Sequence, residues 1–302
     1  MQPQKLIDMH MHSIHSDGSD TTQQLLEQLF ELNVEIMSFT DHDSVECYHD
    51  LNGLANDHGR KMTIIKGVEL SFAYNETIKD MLGYGIDINS IKDFLDTRYS
   101  TETRINKQRT NLKRFKSICK SQGMKFDDSI DVSTGNKSEA FVVLYYEIIK
   151  YSDNITLFPF IADNTSFYWD YYANKKSDYY VSETNGLPDM EEVIGIIKMA
   201  GGKAFLAHPY AYSRDREKNN ALIELAIKNN VDGIEIQHSS NREDDIAVLT
   251  QIALSNKLLR SGGSDFHGSV KPSIKLVYGF DNIRVQFDEI TEWFGDVEKI
   301  EF

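Results

Sequence analysis

Apolar and polar positions follow two regimes along this chain. Short apolar-rich runs at residues 5–11, 34–39, 63–70, 80–86, 203–207, 231–236 and 258–261 are bounded by polar or turn-forming residues, the pattern of strands buried on both faces. Between them the apolar spacing changes to three and four. That predicts helices at 190–200, 221–229 and 244–255, and one carrying Leu25, Leu26, Leu29, Phe30 and Leu32 behind the caps Ser19 and Asp20. Strands and helices in repeated alternation build a parallel sheet with helices outside it, an α/β class whose simplest closure is a barrel. No internal repeat or low-complexity tract interrupts the pattern.

The alternation stops between 98 and 195. Within that stretch Ile105, Leu112, Phe115 and Cys119 fall on one face of an amphipathic helix at 101–120. Residues 98–125 hold nine Lys and Arg against Glu102 alone, a local charge of +8 that leaves −23 on the rest of a chain whose total is −15. Nine of the 15 Tyr also lie in 98–195, at 99, 145, 146, 151, 168, 171, 172, 179 and 180; as rings with a polar tip they suit the core of a small domain. The expectation is a discontinuous barrel of 1–97 and 196–302, with 98–195 inserted as a mainly helical, Tyr-rich subdomain that caps the substrate.

Composition narrows the function. A hydrophobic share of 40% and a charged share of 26% suit a globular chain with a real core. No apolar run approaches the roughly 20 residues of a bilayer span and the N-terminus is polar, so no membrane partner is expected. Two cysteines, Cys47 and Cys119, are too few for a disulfide framework and point to a reducing cytoplasm. A charge of −23 outside the basic helix would repel a long polyanion over most of the surface, which disfavours long duplex nucleic acid.

The histidines supply the chemistry. Five of nine, His10, His12, His42, His208 and His267, fall where a predicted strand ends, on the face where α/β barrels keep their reacting groups. His10 and His12 are two apart on an extended chain and so project to the same side, together with Asp8. Around them lie Ser16-Asp17-Gly18, Thr40-Asp41-His42-Asp43, Gly67-Val68-Glu69, His208-Pro209 and Gly263-Ser264-Asp265-Phe266-His267-Gly268. Imidazoles and carboxylates without thiolate form an N/O donor set suited to Zn²⁺, Mn²⁺ or Fe²⁺, and a carboxylate can bridge two ions. Clustered ions of this kind drive hydrolysis. His15, His49 and His58 sit in loops or polar helices and read as solvent-exposed; His238, beside Glu235, reads as a neighbour of the ligands, as do Asp8 and Asp41.

This set of motifs resembles the PHP (polymerase and histidinol phosphatase) family of metal-dependent phosphoesterases, most of all its stand-alone branch of nucleotide phosphatases and 5′-to-3′ oligonucleotide exonucleases. The likeness covers about 1–97 and 190–268. It implies a distorted (β/α)7 barrel with two or three divalent ions: one held by His10, His12, Glu69 and Asp265, a second by Glu69, His208 and a ligand on the next strand, a third by Asp17, His42 and His267. It also implies a metal-bound water, held by Glu69 and Asp265, as nucleophile toward a small phosphorylated substrate such as a nucleotide or short oligonucleotide. Two stretches depart from the family pattern. Ile78-Lys79-Asp80-Met81-Leu82-Gly83-Tyr84 places Asp80 where relatives carry a ligand His, a change toward harder ions such as Mn²⁺. Asn136-Lys137-Ser138-Glu139 stands where this branch often carries Arg-Pro-His near the substrate phosphate. Lys137, Arg104, Lys107 and Arg214 are the expected phosphate-gathering cations. The alternatives are a non-catalytic, regulatory metal-binding module and a 5′-to-3′ exonuclease on short RNA or DNA.

Overall fold

The computed structural model describes residues 5–51, 53–54, 59–136, 138–182, 184–213 and 215–302. They divide into two compact units. The first takes in the described residues up to Phe72, then Lys79–Leu95 and Pro188–Phe302; the second is Ala73–Ile78 with Asp96–Leu187. The helix Met190–Met199 therefore lies whole in the first unit, because Met190, Val193, Ile194 and Ile197 are its buried stripe and cannot be split between two cores.

Among the described residues, nine strands form two sheets. One has the order β1 (Leu6–Asp8), β2 (Val34–Met37), β3 (Thr63–Ile65) and β9 (Lys299–Glu301); the other runs through β4 (Gly67–Tyr74), β5 (Thr77–Tyr84), β6 (Lys203–Leu206), β7 (Gly233–His238) and β8 (Leu259–Gly263). Two expectations are corrected here. No closed barrel is found among the described residues, since the predicted strand at 63–70 breaks at Lys66 and its halves join different sheets. Nor are the sheets purely parallel: β1–β2, β2–β3, β6–β7 and β7–β8 are parallel, while β5–β6 and β3–β9 are antiparallel. The cause of the first reversal is a hairpin, because Asn75 (φ 47°) and Glu76 (φ 55°) both take the left-handed backbone that a two-residue turn between β4 and β5 requires.

Between the sheets lies an apolar cluster including Ile7, Met9, Ile36, Ile65, Leu82, Tyr84, Phe205 and Trp293. Trp293 comes from the helix Phe287–Phe294, is almost fully buried, and donates its indole N–H to the Arg260 carbonyl at 2.9 Å. The first helix, Thr22–Glu31, is capped by Thr21 through a reciprocal pair with Gln24 rather than by Ser19 and Asp20. Those two residues are engaged elsewhere: the Ser19 hydroxyl accepts the Ser269 N–H at 2.7 Å, and Asp20 accepts from Gln28 at 2.7 Å.

The second unit is helical, with Thr101–Ser121 and Glu139–Ile148 packed around Phe115, Phe141, Phe167 and Tyr172. Tyr145, Tyr172 and Tyr179 are buried in this core and Tyr168 and Tyr171 pack against it; Tyr146 is exposed. Part of the basic face of its long helix is engaged within the unit. Arg109 pairs with Asp131, Lys120 with Asp128, and Lys116 donates to the Asp128 and Ile130 carbonyls. Among the described residues, no helix is long and apolar enough to cross a membrane.

Candidate metal centre

Beyond β1 the chain stays extended, so His10 and His12 turn to the same side, as their spacing predicts. Two buried carboxylates fix the loops around them. Asp8 accepts the backbone N–H of Ser264 (2.9 Å) and Val277 (2.7 Å) and the Ser264 hydroxyl (2.7 Å), which ties the end of β1 to the loop after β8. Asp41 accepts from the Ser13 backbone and hydroxyl (both 2.7 Å) and from Ser16 (2.6 Å), shaping the turn that carries Asp17. Gly263 lets the two backbones meet: a Cβ there would lie 2.2 Å from the His10 nitrogen. His208 (φ 24°) and Asp265 (φ 57°) hold left-handed backbone unusual for such residues, and each is locked, His208 N–H to Glu235 (2.8 Å) and Asp265 N–H to the His10 carbonyl (2.8 Å). Strain retained under such fixation marks sites where geometry outranks local comfort.

The side chains converge in three groups whose donor atoms lie within 4.8 Å of one another: His10, His12, Glu69 and Asp265; His12, Asp17, His42 and His267; and His42, Glu69 and Asp80. In the first, His10 Nε2 and His12 Nε2 are 3.1 Å apart, lie 3.1 and 3.2 Å from Glu69 Oε2, and 3.4 and 3.3 Å from Asp265 Oδ1. A tetrahedron of ligands at about 2.0–2.1 Å from a central ion has edges of about 3.3–3.4 Å, so these four atoms fit around one cation. Glu69 faces both ways, with Oε2 also 3.3 Å from His42 Nδ1 and Oε1 2.9 Å from His208 Nε2. Asp80 is buried and held by Ser71 (2.9 Å) and the Tyr212 hydroxyl (3.1 Å), with His42 at 4.0 Å. The group around Asp17 is the most open: its carboxylate is 3.2 Å from His267 Nε2 and 4.0 Å from His42 Nε2, and its side chain is 55% exposed.

Partners on the outer ring nitrogens set the tautomers. His10 Nδ1 faces Glu235 at 2.8 Å and His267 Nδ1 faces the Asp265 carbonyl at 2.8 Å, leaving both Nε2 lone pairs toward the clusters. His238 differs. Its Nδ1 accepts the Ser240 N–H at 3.1 Å and faces the Ser240 hydroxyl at 2.7 Å, while its buried Nε2 lies 3.4 Å from Asp265 Oδ2 without a hydrogen bond.

Burial alone would strip the charge from all these groups. For His12 burial is outweighed by Asp265 and Glu69, which raise it to about 9. His10 is likewise carried well above its ordinary value, against burial, by Glu235 and Glu69. Glu69 and Asp265 end well below the carboxylate range despite burial, Glu69 through His42, His10 and His208, Asp265 chiefly through His12 and His238. Asp80 moves up, first by burial and then by Glu69. Protons on His10, His12 and His208 thus offset the carboxylates when no cation is bound, whereas His42 is moved down, first by burial; the donor set fits divalent metal ions.

The remaining expected residues divide. Arg104 and Lys107 stand on the helix Thr101–Ser121 of the second unit, and Lys137 and Arg214 lie outside the described residues, as does His58. His49 is exposed as expected, but His15, expected to be solvent-exposed, is half-buried and pairs with Asp50 at 2.7 Å. Glu139 turns inward on its own loop, accepting the N–H groups of Ser133, Thr134 and Gly135 at 2.7–3.0 Å. Missed in the sequence as site residues were Glu235, noted only as the neighbour of His238, Tyr212, and Lys271, whose Nζ lies 2.9 Å from Asp265 Oδ2.

A model of the PHP domain matches residues 8–239. The chain belongs to the PHP family. Its PHP relatives include the 5′-3′ exoribonuclease Rnm of Escherichia coli K12, 24% identical over 87% of this chain and 85% of that protein, and the phosphoribosyl 1,2-cyclic phosphate 1,2-diphosphodiesterase of Eggerthella lenta, 26% identical over 86% and 94%. The 3′,5′-nucleoside bisphosphate phosphatase of Chromobacterium violaceum is 23% identical over 86% and 87%. A solved structure from Bifidobacterium adolescentis shares the fold with a TM-score of 0.59 at 23% identity, over 98% of both chains.

Proposed function

We propose that this PHP chain is a metal-dependent phosphoesterase that hydrolyses a small phosphate ester, a nucleotide or short oligonucleotide, with two or three divalent ions (Mn²⁺, Fe²⁺ or Zn²⁺). His10, His12, Glu69 and Asp265 would hold one; Glu69, Asp80 and His208 a second; Asp17, His42 and His267 a third. The observation that carries the reading is the near-tetrahedral set around His10 and His12, with Glu69 shared between groups. Ions so held supply Lewis-acid polarisation of a phosphoryl oxygen and a water of lowered pKa.

The chain's own residues arrange the rest. Glu235 keeps the His10 Nε2 lone pair on the cluster, Asp8 and Asp41 fix the loops bearing Asp265 and Asp17, and the strained His208 and Asp265 backbones arrive preset. The relatives bear names of an exoribonuclease, a bisphosphate phosphatase and a cyclic-phosphate diphosphodiesterase, which supports phosphoester chemistry on nucleotide-like substrates.

The test is a screen of metal-loaded protein against nucleoside monophosphates, 3′,5′-bisphosphates, ribosyl cyclic phosphates and 5′-phosphorylated oligonucleotides. Release of inorganic phosphate or mononucleotide that disappears with chelator is expected. Turnover of none of them, with metal bound stoichiometrically, would leave the non-catalytic metal-binding reading. A steep fall of affinity with salt would select oligonucleotide over mononucleotide, since each neutralised phosphate adds to the slope.

A further inference from the structure

Asp265 presents two unlike oxygens. Oδ1 faces His10 and His12 at 3.4 and 3.3 Å, inside the first donor group, whereas Oδ2 faces away, toward Lys271 Nζ at 2.9 Å and His238 Nε2 at 3.4 Å. One carboxylate therefore separates the cluster from an ammonium. The Asp265 side chain is 10% exposed and that of Lys271 41%, so Lys271 stands where the buried cluster gives way to solvent. Only one of its three N–H donors is needed for Asp265.

The mounting of Lys271 is rigid. It follows the short turn Gly268–Val270, in which Gly268 has φ +63° and a Cβ would meet Ser19 Oγ at 2.1 Å. Ser269 N–H is bound to the Ser19 hydroxyl at 2.7 Å, and the Lys271 carbonyl accepts from Ile274 at 3.0 Å. Pro272 follows directly and holds Lys271 out of the helical region, consistent with its φ of −123° and ψ of 68°.

We propose that Lys271 is a substrate-binding residue that contacts a non-bridging oxygen of the phosphate group held at the His10–His12–Asp265 cluster. A lysine binds phosphate as a point charge with several donors, and an anion seated on that cluster lies within one carboxylate's width of its ammonium. Holding Asp265 engages one N–H of an ammonium whose side chain is 41% exposed, which leaves the other donors to meet an anion. This assignment rests on the phosphoesterase reading and locates its phosphate subsite on the loop after β8.

The experiment compares wild type, Lys271→Met and Lys271→Arg, each loaded with Mn²⁺. Metal content is read by elemental analysis, affinity for inorganic phosphate by calorimetry, and kcat and KM on whichever ester the screen yields. Unchanged metal content with phosphate affinity weakened roughly 10- to 100-fold in Lys271→Met, and partly restored in Lys271→Arg, is expected. Loss of metal in Lys271→Met would overturn the proposal by making Lys271 a positioning residue for Asp265, and unchanged phosphate affinity would overturn it outright. Phosphate binding that depends on Lys271 in a protein that hydrolyses no ester would sink the activity and keep this subsite; hydrolysis with phosphate affinity indifferent to Lys271 would do the reverse.

Discussion

Each compact unit is organised around a buried centre, and the two centres use opposite chemistry. In the second unit Phe115, Phe141, Phe167 and Tyr172 meet in stacked, edge-to-face and tilted contacts with centroids 4.9–6.0 Å apart, an arrangement that stabilises by area and ring geometry alone. In the first unit His10, His12, Glu69 and Asp265 fill an equally buried space with groups that resist burial. The aromatic centre is complete as built. The polar centre is balanced by charge, so its state depends on protons and cations in solution, and it gains reactivity where the other gains only stability.

The largest effect that would test this contrast is on turnover. His10→Ala or Asp265→Asn removes a donor from the tetrahedral set, and loss of activity by 1,000-fold or more (~4 kcal/mol at 1.4 kcal/mol per tenfold) with reduced metal content is expected while the fold persists. Full metal content and full turnover in His10→Ala would break the assignment of that group. In the aromatic centre the sign reverses: Phe115→Ala should cost about 3–5 kcal/mol of stability, read by urea unfolding, and leave metal content per folded chain unchanged.

Acid and base sharpen the comparison next. The folded value of about 9 for His12 lies above its ordinary 6.5, so its charged form stabilises the chelated protein in full below about pH 6.5 and that contribution is lost as pH rises through about 9. A metal ion must displace the same proton, so metal affinity should rise across this window with protons released. Unfolding of chelated and metal-loaded protein at pH 6.5 and 9, with calorimetry in two buffers, checks both signs; parallel pH profiles for the two forms would contradict them. The smallest effect concerns Asp80. Replacing its oxygen by nitrogen in Asp80→His should move preference from Mn²⁺ toward Zn²⁺ by about tenfold, measured by competition, and Asp80→Ala should lower the number of ions bound. Wild-type rates and wild-type ion content in Asp80→Ala would show that this carboxylate is no ligand.

The residues of the polar centre were legible because their types are rare at strand ends and their spacing is short: His10 with His12, Asp41 with His42, Asp265 with His267. Of the residues that orient them, Asp8 and Asp41 were legible beside the ligands, but their distant partners and Glu235 were not. Glu235 reaches His10 across 225 positions, Asp8 reaches Val277 across 269, and Lys271 is placed by a turn whose shape depends on Ser19; no local pattern encodes such pairs. The strand at 63–70 was visible as one apolar run, but its division at Lys66 is decided by which neighbours are present, β9 on one side and β5 on the other. The hairpin ahead of β5 went unseen because Asn75-Glu76 lacks the glycine that ordinarily announces such a turn.

The pairing of β1 with the loop after β8 sets a timetable for biosynthesis. Apart from the hairpin tip, the aromatic unit is one continuous stretch ending at Leu187, so all its core partners have been made before His208, Asp265 and His267 of the polar centre. His10 emerges early, yet Asp265 and His267 are made about 255 residues later, a delay of roughly 10–50 s at 5–20 residues per second. During that interval the first imidazoles have no carboxylate from the far end of the chain to hold them, and the edge of β1 has no partner on the side that the loop after β8 will occupy. A nascent chain stalled before residue 265 would therefore display a finished helical unit beside an unfinished one.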